Sequence, residues 1–357
     1  MADPRVLEHA RIVVEHSCKV KKGDSVLILT APEAHELLIA IVARLGKIGA
    51  DYVASDFDSS VMRAYLLDAD EETLSAPSRI TLAAAKEADV MINIGQFTIS
   101  NSHEMSDIPP HKLQLAYLAM KPVVDIIERK RWNITIHPTS ALAQEAKMSY
   151  EAYCDFVYSA IIRDWPKMAA EMKVLADKMA ATKTVRILGN DTDITFSIEG
   201  RKPLVDSGEK NLPGGEVFTS PIDSSVEGHV YFDLPINYLG QEVRGARLKF
   251  RNGKAAEMNA EEGEELLKTL MSADSGAGRV GELGIGMNRG INRFTKNILF
   301  DEKMGDTIHL AVGRAFPEAG GTNESAVHID MIKSMKEGGT ILFDDVAVYA
   351  NGKFSWE

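Results

Sequence analysis

Two short runs in the first hundred residues, Ser25-Val26-Leu27-Ile28-Leu29 and Val90-Met91-Ile92-Asn93-Ile94, are apolar along almost their whole length. Strands of that kind are buried on both faces, which points to a parallel sheet covered by helices. The residues around them supply the helices. Pro4 suits a first helical turn, and Val6, Leu7, Ala10, Val13 and Val14 recur at helical spacing. A second helix over Ala34 to Ile48 leads into a strand at Asp51–Asp56, and a third near Arg79 to Lys86 leads into the run at Val90. Helix alternating with strand calls for right-handed crossovers, so this part is predicted to be a doubly wound, mainly parallel α/β domain. None of its turns carries Gly-x-Gly-x-x-Gly or a P-loop, and a nucleotide site has no support.

Trp132 to Ile136 reads as a further strand, and Ser140 to about Ala181 as helical, with Pro166 breaking the pattern into two helices. After that the texture changes. Val185–Leu188 and Ile194–Ile198 form a predicted hairpin, and two Asn-Gly pairs, Asn252-Gly253 and Asn351-Gly352, mark tight turns between alternating strands. Asn259 is placed to cap a helix running through Met271. The chain is therefore expected to divide into an N-terminal α/β domain, 1–182, and a β-rich α+β domain, 183–357.

A formal charge of −12 argues against a nucleic-acid or anionic-membrane partner, because a phosphate surface would repel it. The two cysteines, Cys18 and Cys154, stand alone in helical patterns and support neither a disulfide framework nor a thiolate zinc site. With no signal-peptide pattern and no apolar run of spanning length, the expected location is cytoplasmic.

Chemistry is expected between Gly281 and Asp330, with one contribution from upstream. Glu216 follows the Pro213-Gly214-Gly215 turn, which needs the positive φ that glycine tolerates. Glu282 stands among Gly281, Gly284 and Gly286, between apolar neighbours, where a carboxylate is costly to bury unless it is paired or holds a metal. Strand alternation puts His309 beside Ala311 and Gly313, and His328 on the same side as Asp330. These donors without thiolate suit zinc, manganese, cobalt or ferrous iron. Five ligands exceed what one open catalytic zinc needs and suit two ions sharing a carboxylate.

Four motifs in order, Asn-x-Pro-x-Gly-Glu-Val-Phe-x-x-Pro, Gly-Glu-Leu-Gly-Ile-Gly-x-Asn, Asp-Glu-Lys-x-x-x-Thr-Ile-His-x-Ala-x-Gly and Ser-x-x-His-x-Asp-Met, resemble the aminopeptidase T / aminopeptidase S family of metallopeptidases. The resemblance implies two divalent metal ions (zinc, cobalt or manganese, with iron not excluded) on Glu216, Glu282, His309, His328 and Asp330, with Glu282 as the bridge. It implies removal of N-terminal residues from peptides, with Glu216 and Glu282 central to catalysis, and a homodimer. One position departs from the family. A tyrosine seven residues after the first ligand histidine is replaced by Phe316, so a phenol donor is missing, and Arg314, Glu318 and Tyr238 are the nearby groups considered in its place. Arg314, Phe316 and Tyr238 are accordingly the expected substrate-binding residues. Two other readings stay open. One is a single-iron ring-cleaving dioxygenase of the 2,5-dihydroxypyridine type on His309, His328 and Asp330; the other is a non-catalytic metal-binding or small-molecule-binding relative.

Overall fold

The computed structural model describes residues 3–56, 58–101, 103–238 and 241–356. Its packing separates two compact units, Met1–Arg163 with Gly208–Pro213, and Asp164–Ser207 with Gly214–Glu357.

The first unit is built on β1 (Ser25–Thr30), β2 (Asp51–Asp56), β3 (Val90–Asn93) and β4 (Arg131–Thr135), all paired in parallel in the order β2-β1-β3-β4. The two-residue strand Asn211–Leu212 joins beyond β4. Helix His35–Ile48 turns Leu37, Ile41 and Leu45 inward and stops at Gly49, whose φ of 83° closes the left-handed cap. Leu27 and Met91 pack with Ala85, Val123 and Ile127 in the layer beneath the sheet. The predicted parallel α/β architecture is what the chain adopts.

Three helices follow β4: Ser140–Glu145, Tyr150–Ile161 and Trp165–Ala180. Pro166 lies in the first turn of the third, where its missing N–H costs nothing, and Asp164 caps that turn through Lys167 N. Tyr153, Phe156, Val157 and Ile161 are buried, as a core stripe would be. Helix Trp165–Ala180 packs with the second unit, and the division read from the sequence falls at its end.

Among the described residues the second unit holds three antiparallel sheets, of eight, five and two strands. In the eight-stranded one, Thr184–Gly189 and Thr192–Ser197 form the predicted hairpin. Asn252 and Gly253 (φ 51° and 74°) and Asn351 and Gly352 (49° and 82°) make the two tight turns. Asn259 departs from expectation: it ends strand Lys254–Asn259 opposite Arg247, and the helix begins only at Glu264, behind Gly263 at φ 77°. The extra rungs of the ladder outweigh the capping preference of a single asparagine there.

The five-stranded sheet contains β5 (Leu204–Asp206), β6 (Glu216–Thr219), β7 (Val280–Gly286), β8 (Thr307–Gly313) and β9 (His328–Ser334), in the order β9-β8-β7-β6-β5. All seven residues of β7 and of β8 are buried. Alternation sends Leu283, Ile285, Ile308, Leu310, Val312 and Met331 to one face and Glu282, Gly284, His309, Ala311 and Asp330 to the other. On the apolar side Lys333, 1% exposed, donates from Nζ to the carbonyls of Asn190 (3.2 Å) and Tyr231 (3.0 Å) and so ties β9 to the eight-stranded sheet. No described helix is long and apolar enough to cross a membrane.

Lys333→Ala leaves those two part-buried carbonyls without their donor and opens a void where the buried side chain was. It is expected to lower the stability of the second unit by about 3 kcal/mol, read as a shifted midpoint in urea.

Candidate metal centre

The polar face of the five-stranded sheet is a checkerboard of ligand-type and very small residues. Across the strands, Phe218, Gly284 and His309 form one row, Glu282, Ala311 and Asp330 the next, and Gly313 stands opposite His328 in the last. Glu216 is opposite Gly286 on one side and Asp206 on the other. On β7 and β8 every second position from Glu282 to Gly286 and from His309 to Gly313 is thus either a donor or a residue too small to block one, while Phe218 and Ile332 flank the row of His309.

Space is the reason for the glycine at 284. A β-carbon there would lie 2.0 Å from Cε1 and 2.1 Å from Nε2 of His309, so the imidazole occupies the volume a side chain would need. Gly215 shapes the approach to Glu216 in a similar way. Its φ is 117°, and a β-carbon would come within 2.5 Å of Asn288 Cβ. Asn288 in turn donates from Nδ2 to Gly214 O at 2.9 Å, and Met287 N donates to Gly215 O at 2.7 Å. The asparagine of the second motif therefore anchors the turn that delivers the first glutamate.

All five expected ligands converge. Glu216, Glu282 and His309 bring one donor atom each within 4.8 Å of one another, and Glu282, His328 and Asp330 do the same. Glu282 belongs to both triplets: Oε1 is 3.5 Å from His309 Nε2 and Oε2 is 3.3 Å from His328 Nε2. Asp330 Oδ1 is 3.6 Å from His328 Nε2, and Glu216 Oε2 is 3.5 Å from His309 Nε2.

Both imidazoles are aimed by backbone carbonyls. His309 Nδ1 donates to Glu302 O at 3.0 Å and His328 Nδ1 to Arg314 O at 2.8 Å. A carbonyl only accepts, so the proton sits on Nδ1 in each ring and Nε2 faces the cluster. Lys303, fully buried, ion-pairs with Glu216 Oε1 at 3.2 Å and with Glu302. Neither Glu302 nor Lys303 was assigned a role from the sequence, although both stand in the third motif. Their signal was a Glu-Lys pair just ahead of a buried histidine strand, and an ordinary solvated pair looks identical in sequence.

The electrostatics are those of crowded buried carboxylates. Burial pushes Glu216 up to about 8 even with the Lys303 charge opposing it. For Glu282 burial is outweighed by His309 and His328, which hold it below the usual carboxylate range, and His328 holds Asp330 well below it in the same way. Burial disfavours charge on the imidazoles too, yet the surrounding carboxylates raise His309 to about 10 and His328 to about 11. Without a cation the centre is therefore neutralised by its own protons.

A divalent ion fits these residues on three counts: the donors are oxygen and nitrogen only, each triplet is compact, and Glu216 Oε2 is buried without a hydrogen-bond donor. The expected substrate-binding residues are placed unequally. Phe316 packs edge-on against His328 with ring centroids 5.2 Å apart, and against Phe218 at 5.5 Å. Arg314 reaches the centre only through its carbonyl, with its side chain exposed. Tyr238 lies on the separate two-stranded ladder of Ile236–Tyr238 and Gln241–Val243.

Known proteins resemble this chain in sequence and fold. The pattern of the family described as thermophilic metalloprotease (M29) matches residues 2–354. Aminopeptidase 2 of Geobacillus stearothermophilus is 24% identical over 91% of this chain and 90% of its own. Among solved structures, wild-type AmpT from Thermus thermophilus superposes with a TM-score of 0.87 at 24% identity, covering 99% of both chains. The 2,5-dihydroxypyridine dioxygenase of Pseudomonas putida KT2440 gives 0.64 at 14% identity, covering 99% of this chain and 97% of the other. At those identities both structural likenesses concern the fold.

Gly284→Ala forces a methyl group into the His309 ring. The expected result is a loss of about 1–3 kcal/mol in urea unfolding, together with a displaced His309 imidazole resonance.

Proposed function

The chain belongs to the M29 metalloprotease family, and on that premise we propose that it is a metal-dependent aminopeptidase acting at a two-ion centre. One observation carries the reading: Glu282 divides its two oxygens between the two histidine-containing triplets, the position a bridging carboxylate takes. Charge supports a pair of ions as well. Glu216, Glu282, Glu302 and Asp330 against the single ammonium of Lys303 leave three negative charges when both imidazoles are neutral, more than one divalent ion cancels. The single-iron alternative would gather His309, His328 and Asp330 around one ion. Among the described residues, each compact triplet contains only one histidine.

In this reading Glu216, Glu282 and His309 hold one ion, and Glu282, His328 and Asp330 the other. Zinc, cobalt or manganese fits the donor set. Bound there, such ions supply an activated water and polarise the scissile carbonyl. The chain does the rest. The carbonyls of Glu302 and Arg314 keep both Nε2 atoms aimed inward, so the centre needs no rearrangement as charge develops. The carboxylates of Glu216 and Asp330 attract the cationic α-amine and select a free N-terminus. Phe316 and Phe218 offer an aromatic wall beside His328 for the first side chain. Phe316 brings no hydroxyl, so no phenol donor takes part at that position. The homodimer implied by the family resemblance is part of the same proposal, and light scattering in solution tests it.

Removal of metal by a chelator should abolish release of N-terminal residues from a panel of aminoacyl peptides, and zinc, cobalt or manganese should restore it. Absence of release with all three ions would sink the reading.

Proton bookkeeping gives a second test. At pH 7 the cation-free imidazoles are protonated, because their values of about 10 and 11 lie above the solution pH. A cation needs Nε2 bare, so uptake must expel protons, and apparent affinity should rise with pH between 6 and 9. Calorimetry in buffers of differing ionisation enthalpy at pH 7 should show release of about two to three protons per centre as both positions fill, two from the imidazoles and the remainder from Glu216.

For the aromatic wall, Phe316→Ala is expected to cut kcat/KM for a leucyl substrate by about tenfold, mostly through KM, while an alanyl substrate changes little.

A further inference from the structure

Lys303 is the charged residue whose presence a cation site does not explain. Its side chain is completely buried, and its Nζ sits 3.2 Å from Glu216 Oε1 while also pairing with Glu302. An ammonium in such a place repels any cation that arrives. If the aim were only to neutralise carboxylates, a hydrogen-bond donor without charge would serve with less penalty.

Its placement is asymmetric. Lys303 engages one oxygen of Glu216 and leaves the other, Oε2, buried without a hydrogen-bond donor and facing His309. The second triplet is completed differently: His328 lies 3.3 Å from Glu282 and 3.6 Å from Asp330, and the ion pairs of Lys303 run to Glu216 and Glu302. The two triplets share Glu282, so they differ in what surrounds them more than in the number of donors.

Resting on the two-ion reading above, we propose that Lys303 sets the two positions apart in affinity. By holding Oε1 it restricts Glu216 to a single coordinating oxygen, and its fixed positive charge stands beside the position formed by Glu216, Glu282 and His309. That position fills second and empties first. The position formed by Glu282, His328 and Asp330 is the permanent one. Weaker holding has a chemical counterpart: a carboxylate that shares its charge with an ammonium gives less of it to an ion, which leaves the ion more electrophilic. Lys303 acts through Glu216 and is a positioning residue. Glu302 sets how strongly it acts, since it carries part of the compensating charge.

The test is calorimetric titration of the chelator-treated full chain with zinc or cobalt alone, with folding checked by circular dichroism. The wild type should take up two ions in steps separated by roughly tenfold or more in affinity. Asp330→Asn should remove the tight step. Lys303→Met should tighten the weak step by roughly tenfold or more and bring the two together, whereas Lys303→Arg should keep them apart. Glu302→Gln is nearly isosteric, keeps the backbone carbonyl that holds His309, and should loosen the weak step several-fold because the ammonium is then less compensated. It tests the proposal even if Lys303→Met fails to fold. Opposite movement of the weak step in Lys303→Met and Glu302→Gln supports the assignment. Movement of both in one direction, or no movement in Glu302→Gln, overturns it while leaving two-step binding by the wild type intact. Uptake of a single ion by the wild type overturns the two-ion reading itself, and this inference with it.

Discussion

Bringing four carboxylates, those of Asp206, Glu216, Glu282 and Asp330, to one sheet face is the constraint to which most of the second unit answers. Glu216, Glu282 and Asp330 lose water and gain one another as neighbours, and both changes disfavour their charge. The fold offsets this by placing two imidazoles and one ammonium among them. That solution requires room, and the alternating glycines and alanine of β7 and β8 provide it. It also requires rigidity, which comes from the reverse face of the same two strands, where Leu283, Ile285, Ile308, Leu310 and Val312 are apolar and buried. Chemistry on one side of the sheet is thus held in place by packing on the other.

Much of this was legible in the sequence, for identifiable reasons. Strands β1 and β3 announced themselves because double-sided burial leaves an unbroken apolar run, as in Val26-Leu27-Ile28, whereas β2 is exposed along its length. Asn252-Gly253 and Asn351-Gly352 were legible because left-handed backbone at two consecutive positions admits few residue types. The five clustered donors stood out because a charged group among glycines in an apolar strand is too costly to keep unless it is paired or binds an ion.

What the sequence hid was partnership over distance. Nothing local marks the carbonyls of Glu302 and Arg314 as the groups that orient His309 and His328, since every residue carries a carbonyl. Nothing local to the second motif shows that its Asn288 reaches Gly214, 74 positions earlier. Asn259 misled in the opposite sense, because a ladder partner at Arg247 outweighs a local preference. Arg314 and Tyr238 were named for their side chains. Of the two, Arg314 serves the centre through its backbone, and Tyr238 belongs to another ladder.

The short excursion of Gly208–Pro213 carries a consequence for how such a chain can evolve. Those six residues complete the parallel sheet of the first unit, where Asn133 donates to the carbonyls of Gly208, Glu209 and Lys210, and Thr135 Oγ1 donates to Leu212 O. Glu216 follows almost at once in the second. Neither unit is therefore a cassette that a single crossover could lift out. A fragment ending after residue 163 would leave the outer edge of β4 unpaired, and a partner grafted in its place would have to supply the same six-residue patch. The two units are bound into one chain by this threading, and exchange of the first for another α/β module is the kind of innovation such a topology resists.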